Sequence, residues 1–377
     1  MMTNPFYITG NIPDPYFCDR EKETAKIISL LKNGENVLLT AFRRMGKTQL
    51  IRHVYAQEEI ASQYYTLYTD IYSATSLREM TFLLSKEVFR TIVPQGKKAL
   101  RFFLQTIRSL AAKVSLDPVS GIPELDLHIG DIAAPELTLE EIFSWLENAQ
   151  KPCIFAIDEF QQIAKFPEKN VEALLRTQVQ KMNRCHFIFS GSDRHILEQM
   201  FASYARPFYN SAQPVFLDRI DPDKYVAFAV GHFVAAGRTL TEETARFCYD
   251  MLDGYTYYVH KVFHNLFASG VQEVNMSAVM LALGDILEEN THMYTEIMAG
   301  LSTSQKQVLA AVAKEKLAMR PTSGAFVRKY ALPSPSSVQK ALLKLLDTGL
   351  VTFYLSGEEK CYAVADKFFE LWLRETY

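Results

Sequence analysis

Asn36-Val37-Leu38-Leu39-Thr40-Ala41-Phe42-Arg43-Arg44-Met45-Gly46-Lys47-Thr48-Gln49-Leu50 is the stretch whose reading decides the fold. A short apolar run ends in a small-residue turn, passes through Gly46-Lys47-Thr48 and continues as a helical pattern. Strand, loop and helix in that order make a phosphate-binding P-loop. Loop N–H groups and a helix N-terminus aim positive partial charge at phosphate oxygens. In this reading Ala41, Arg43, Arg44, Met45, Gly46, Lys47, Thr48 and Gln49 hold a nucleotide. Lys47 reaches the β/γ-phosphates, and the Thr48 hydroxyl ligates Mg²⁺. One position departs from the pattern. The first glycine is replaced by Ala41, and alanine tolerates positive φ poorly.

A P-loop ATPase needs a second stretch, and Cys153-Ile154-Phe155-Ala156-Ile157-Asp158-Glu159-Phe160-Gln161 supplies it about 110 residues later. A fully apolar run predicts a central parallel strand covered on both faces. It ends in two adjacent carboxylates. Asp158 belongs in the Mg²⁺ shell, and Glu159 orients and deprotonates the attacking water. A further apolar run, His186 to Phe189, ends in Ser190-Gly191-Ser192. Ser190 or Ser192 senses the γ-phosphate from the neighbouring strand, although a plain strand-to-helix turn uses the same residue types. Arg194 and Arg206 are candidates for a finger that reaches a γ-phosphate across a subunit interface.

Composition narrows the class. With 377 residues and about 150 per domain, two or three domains are expected. A hydrophobic fraction of 48% and mean hydropathy of -0.05 describe a soluble globular chain. A net charge of -3 and a pI near 6.3 argue against a broadly basic nucleic-acid binder. Five scattered cysteines without a C-x-x-C suit a reducing cytoplasm. No run of 18 apolar residues exists, so no membrane span is expected. The first ten residues are too polar and proline-broken for a signal peptide.

Residues 1–20 read as an ordered arm that either wraps the nucleotide base or packs on the sheet edge. A helix is expected to open near Asp19 or Arg20 and to run through Leu31. Tyr64 to Tyr72 predicts a strand, with Asp70 at its ligand-binding end. Helices are expected over 76–92 and 97–113, a loop over 114–137, and a helix started by Thr138. From Asp221 the pattern turns to helices only, over about 221–236, 240–252, 255–268 and 277–298. His260 and His264 share a helix face but lack a H-E-x-x-H pattern, so a plain histidine pair is expected there rather than a metal site.

The tail from about 303 reads as three helices and a two-stranded wing, a winged helix. Residues 301–377 carry 11 Lys+Arg against 7 Asp+Glu. The third helix exposes Ser336, Gln339, Lys340 and Lys344, groups suited to phosphates and base edges. The wing tip is Glu358-Glu359, which repels a phosphate backbone. DNA binding is therefore the second reading, behind an intramolecular or protein-binding role.

The chain resembles the prokaryotic, archaeal-type AAA ATPases related to the STAND class, which are also common in Bacteroidetes. Phe17-Cys18-Asp19-Arg20-Glu21 is similar to the family's F-x-G-R-E opening, with Asp19 in place of glycine. Arg43 to Thr48 matches R-R-x-G-K-T, Asp158 to Gln161 matches D-E-x-Q, and Ser190 to Ser192 matches S-G-S. Gly254 to Tyr258 stands where G-x-P-x-Y is expected, with Thr256 for the proline. Asp366 to Leu373 resembles D-P-x-F-x-x-W-L, with Lys367 for the proline. Asn210-Ser211 follows Pro207-Phe208-Tyr209 where relatives show G-R.

This resemblance implies an α/β P-loop core over 1–218, an all-α lid over 219–299 and a C-terminal winged helix over 300–377. It also implies an ATP-driven switch with Mg²⁺, nucleotide-dependent homo-oligomerisation and an unnamed protein client. Arg20 joins the nucleotide-binding residues on the same ground. The alternative from a different class is a winged-helix DNA-binding regulator with nucleotide as a structural ligand.

Overall fold

The computed structural model describes residues 3–92, 107, 109, 113–116, 123–126, 128–356 and 359–377. The chain divides into two compact units, Asn11–Arg219 and a second made of Met1–Gly10 with Ile220–Tyr377.

The first unit is built on a parallel sheet. Its strands are β1 (Val37–Ala41), β2 (Tyr65–Asp70), β5 (Cys153–Asp158), β6 (Cys185–Gly191) and β7 (Gln213–Leu217). A small antiparallel pair, β3 (Lys113–Leu116) and β4 (Pro123–Asp126), stands apart from it. The sheet order is β2-β5-β6-β1-β7, and every pairing in it is parallel. Parallel strands need covering on both faces, which is why β1 and β5 are buried at every position. The order places β6 between β1 and β5. All strand C-termini therefore lie along one edge, and the P-loop and both carboxylates sit there.

Several local expectations change here. The first helix is Glu21–Lys32, and Arg20 precedes it with φ 79. Of the helix expected over 97–113, most falls outside the described residues, and Lys113 opens a strand instead. The loop expected over 114–137 contains the β3–β4 hairpin and the start of a helix, Pro135–Glu147. Thr138 is buried inside that helix rather than capping it. Pro135 sits at the first helical position, where its missing N–H costs nothing.

The second unit holds the helices Pro222–Ala235, Glu242–Met251, Thr256–Ala268 and Met276–Ala299. It is not helical throughout. β8 (Thr239–Leu240) and β9 (Glu273–Val274) form a short parallel ladder between them. The winged-helix segment follows with helices Thr303–Glu315, Gly324–Lys329 and Pro335–Asp347. Its sheet has three strands, not two. β10 (Ala318–Met319) joins β12 (Glu359–Val364), which pairs with β11 (Val351–Ser356). The helix Lys367–Thr376 closes the chain.

The N-terminal arm takes neither expected course at its start. Phe6 is fully buried among Phe228, Phe233, His260 and Phe263 of the helical unit. Asn4 donates to the His264 carbonyl, and His264 Nδ1 lies 2.8 Å from the Phe6 carbonyl. His260 is buried with Nδ1 2.7 Å from the Tyr225 hydroxyl. The histidine pair thus has a structural use, one ring against Tyr225 and the other against the N-terminal arm.

Burial, with the charges of His232 and His264, pushes His260 down to about 4. An unfolded histidine titrates near 6.5. Between those values the unfolded chain binds a proton that the folded chain refuses, so stability falls as pH drops. The loss attributable to His260 is about 3 kcal/mol between pH 6.5 and 4. Thermal unfolding of the wild type and His260→Gln across that range should show a flatter curve for the variant. Parallel curves would remove His260 as the cause.

Candidate active site

The P-loop begins where β1 ends. Ala41 is fully buried, in register with Leu217, and keeps an ordinary strand conformation. The alanine in place of glycine therefore carries no backbone cost. Positive φ falls instead on Arg44 (φ 65) and on Gly46 (φ 89). Gly46 precedes the helix Lys47–Ala56, whose first N–H groups point into the loop. Arg43 and Arg44 are exposed, whereas Met45 is buried beneath the loop. Gln49 is half-buried in the first turn of the helix.

Lys47 is 8% exposed. Its ammonium lies 2.6 Å from Asp158 Oδ1 and 3.3 Å from Glu159 Oε1. Asp158, 2% exposed, is the last residue of β5 and accepts from five donors. Oδ1 takes Lys47 Nζ, the Ser190 hydroxyl at 2.7 Å and the Glu159 N–H at 2.9 Å. Oδ2 takes the Thr48 hydroxyl at 3.1 Å and the Tyr68 hydroxyl at 2.8 Å. Burial pushes the Asp158 carboxyl up. The Lys47 ammonium and the hydrogen bonds from Lys47, Ser190 and Tyr68 outweigh it, and the group ends below the usual carboxylate range. An ionised carboxylate this deep is tolerable only because it is paired and fully hydrogen-bonded.

Glu159 follows in the left-handed region at φ 55. Its Oε2 accepts from the Ser192 hydroxyl at 3.0 Å and from the Gln161 amide. Ser190 and Ser192 flank Gly191 at the end of β6, and each serves one of the two acids. β6 lies directly between the P-loop strand and the acidic strand, so its serines span the gap.

The set Lys47, Thr48, Asp158, Glu159, Ser190 and Ser192 is therefore one connected cluster. Thr48 Oγ1 and Asp158 Oδ2 are adjacent hard oxygens, a donor set that fits Mg²⁺. The remaining predicted residues lie outside the cluster's hydrogen bonds. Arg194 pairs with Glu198 at 2.5 Å and lies over the Phe216 ring at 4.6 Å. Arg206 is held by Glu172. Arg20 is 4% exposed and donates to Glu23 and to the Asp218 carbonyl.

Two participants were not assigned from sequence. Tyr68 reaches Asp158 from β2, two residues before Asp70. Burial and the charge of Asp158 push its phenol well up, so it remains a donor. The Tyr68 N–H donates to the buried Glu87 carboxylate, itself held by Arg90 and Thr91, which protects that position of the edge strand. Gln161 was visible only as the last letter of D-E-x-Q. Asp70 keeps part of its side chain in solvent and accepts from the Tyr72 N–H at 2.8 Å, and partial desolvation with the nearby acids pushes it up against that hydrogen bond.

Comparison with known proteins accords with this geometry. The family described as "ATPase domain predominantly from Archaea" matches residues 17–262, and the family "Probable winged helix domain" matches 292–375. No curated protein matches the chain. Among solved structures, the Walker-type ATPase PABY2304 of Pyrococcus abyssi aligns with a TM-score of 0.65 at 19% identity, over 98% of this chain and 99% of that one. The ORC2 protein of Aeropyrum pernix, solved as ADPNP–ADP complexes, gives 0.57 at 16% identity, over 98% and 96%. The ORC1 protein of the same organism, in complex with DNA, gives 0.52 at 13%, over 96% and 93%. Identities this low speak for the fold, and the family match speaks for the activity. The chain belongs to the ATPase domain family found predominantly in Archaea, and it is a P-loop ATPase with a C-terminal winged helix.

Proposed function

We propose that the chain hydrolyses ATP with Mg²⁺ and uses the cycle as a conformational or assembly switch. The observation that carries this reading is the sharing of Lys47 between Asp158 and Glu159. Phosphates that draw on Lys47 compete with those carboxylates. Nucleotide binding then breaks the Lys47 contacts with the two acids at the end of β5, and that change in contacts is the switch. Thr48 and Asp158 would hold Mg²⁺, which supplies charge neutralisation at the phosphates. Lys47 binds the β/γ-phosphates, Glu159 accepts the proton of the attacking water, and Ser190 and Ser192 report the γ-phosphate through the carboxylates they touch. Arg194 and Arg206 remain the finger residues of this reading, and each must leave its glutamate to act in trans. Arg20 supports the nucleotide pocket by fixing the entry to the first helix.

In the same reading the parts are a core over 1–218, a lid over 219–299 and a winged helix over 300–377. Nucleotide-dependent homo-oligomers and a protein client follow from the switch. The five cysteines are buried thiols outside any disulfide, which fits a reducing cytoplasm. No described helix is long and apolar enough to cross a membrane.

The winged helix is read as a contact surface within the chain or for a protein. Several of its basic residues are paired. Arg320 pairs with Glu359, Lys329 with Glu315 at 2.6 Å, and Lys344 with Asp347 at 3.7 Å. Leu343, 59% exposed, interrupts the polar face of the third helix. Glu358 lies outside the described residues.

Three outcomes test the proposal. Lys47→Ala should abolish nucleotide binding by calorimetry. It should also cost about 3–5 kcal/mol of stability, because Asp158 is left buried and unpaired. Adding Asp158→Asn should restore most of that stability and none of the binding. Nucleotide affinity unchanged in Lys47→Ala would sink the phosphate-binding role.

Glu159→Gln should bind Mg·ATP and hydrolyse it about 10²–10⁴-fold more slowly in single turnover. A rate within about threefold of wild type would take the base role away from Glu159.

Fluorescence anisotropy of the full chain against random and genomic duplexes should give weak binding with a salt slope near -1.8, from about -0.9 per phosphate contact by Lys340 and Lys344. Sub-micromolar, sequence-specific binding lost in Lys340→Ala/Lys344→Ala would promote the DNA-regulator reading.

A further inference from the structure

Gly191 poses a question that its backbone does not answer. Its φ is not positive, so an alanine would be tolerated by the main chain. The space beside it would not tolerate one. A Cβ there would stand 1.9 Å from Gln161 Oε1, 3.0 Å from Gln161 Cδ and 2.8 Å from Leu197 Cδ1. The glycine makes room for the Gln161 side chain.

Gln161 lies in the 3-10 turn Phe160–Lys165 and is 6% exposed. Its amide NH₂ donates to Glu159 Oε2. A carboxylate only accepts, so the NH₂ must face Glu159, and Oε1 is turned toward Gly191. There Oε1 has no hydrogen-bond partner among the described residues. A buried amide that satisfies its donor and leaves its acceptor unmade is arranged for the donor.

We propose that Gln161 is a positioning residue for Glu159 and that Gly191 is the slot that admits it. This rests on the general-base reading of Glu159. The two oxygens of Glu159 are treated differently. Oε2 is tied twice, to Gln161 and to Ser192. Oε1 is held by Lys47 at 3.3 Å. Phosphates that attract Lys47 release Oε1 while Oε2 stays anchored, and the carboxylate keeps its orientation. Oε1 then takes a proton from water as the water oxygen bonds to the γ-phosphorus. The bond from that phosphorus to the bridging oxygen breaks, ADP leaves, and the proton passes on to the released phosphate.

The test is a double-mutant cycle on the full chain, with Gln161→Ala, Gly191→Ala, both together, and Glu159→Gln as reference. Single-turnover hydrolysis and ATP affinity by calorimetry are measured for each. Gln161→Ala should slow hydrolysis by about 10–100-fold, the usual cost of a misplaced catalytic group, with affinity within about twofold of wild type. Gly191→Ala should show the same split between rate and affinity. The double variant should be no slower than the slower single, because both act through one side chain. Multiplying losses would overturn the role of Gly191.

If Gly191→Ala does not fold, the near-isosteric Gln161→Met decides. It keeps most of the volume, adds no charge and loses the donor, so slow hydrolysis with retained melting temperature and affinity supports the proposal. A wild-type rate in Gln161→Ala or Gln161→Met, alongside a slow Glu159→Gln, overturns it and leaves the base reading standing. A wild-type rate in Glu159→Gln instead removes the base reading itself.

Discussion

One buried cation governs the ATPase unit. Lys47 and Asp158 are both nearly inaccessible, and their charged atoms meet at 2.6 Å. Neither charge is affordable alone at that depth. The rest of the site is the set of conditions that make the pair tolerable. β6 lies between the strands that carry them, so Ser190 can donate to Asp158. β2 brings Tyr68, and the helix after the P-loop brings Thr48. Glu159 shares the same lysine from a left-handed backbone. A buried cation shared by two neighbouring acids cannot change one contact without disturbing the others.

The second unit rests on a different kind of constraint. Phe6 anchors the chain's beginning in an aromatic core, next to a histidine that burial keeps neutral. Within the same unit the closing helix is fixed by a buried charge. Lys367 Nζ sits 2.7 Å from Asp253 and 2.8 Å from Glu370. The related motif carries proline at this position, and Asp366 still caps the helix by accepting from Phe368 and Phe369 N–H groups. Tyr255 meets Tyr354 of β11 through their hydroxyls at 2.7 Å, and Trp372 donates to Thr291. The helical segment and the winged helix are thus joined by partly buried polar contacts, whose directionality fixes the geometry of the joint. A winged helix engaged in this way has its last helix and one wing strand committed inside the chain.

The sequence by itself determined the P-loop, the acidic strand and the winged helix. Each is a local pattern with a local physical cause: an apolar run before Gly46-Lys47-Thr48, a run from Cys153 that closes on Asp158 and Glu159, a helical stripe of Val338, Ala341, Leu342, Leu345 and Leu346. The proximity of Lys47, Asp158 and Glu159 was expected from motif order alone. What only the tertiary structure decided depends on partners distant in the chain. Ala41 escaped strain because the positive φ fell on Arg44 and Gly46. The hairpin of β3 and β4, the β8–β9 ladder and the third wing strand are short pairings whose stability comes from neighbours, so they left no periodic signal. Phe6 entered the helical core, and Tyr68 and Gln161 joined the site, for the same reason. Such roles are fixed by what lies across a strand or a turn, and a linear pattern records only what lies along it.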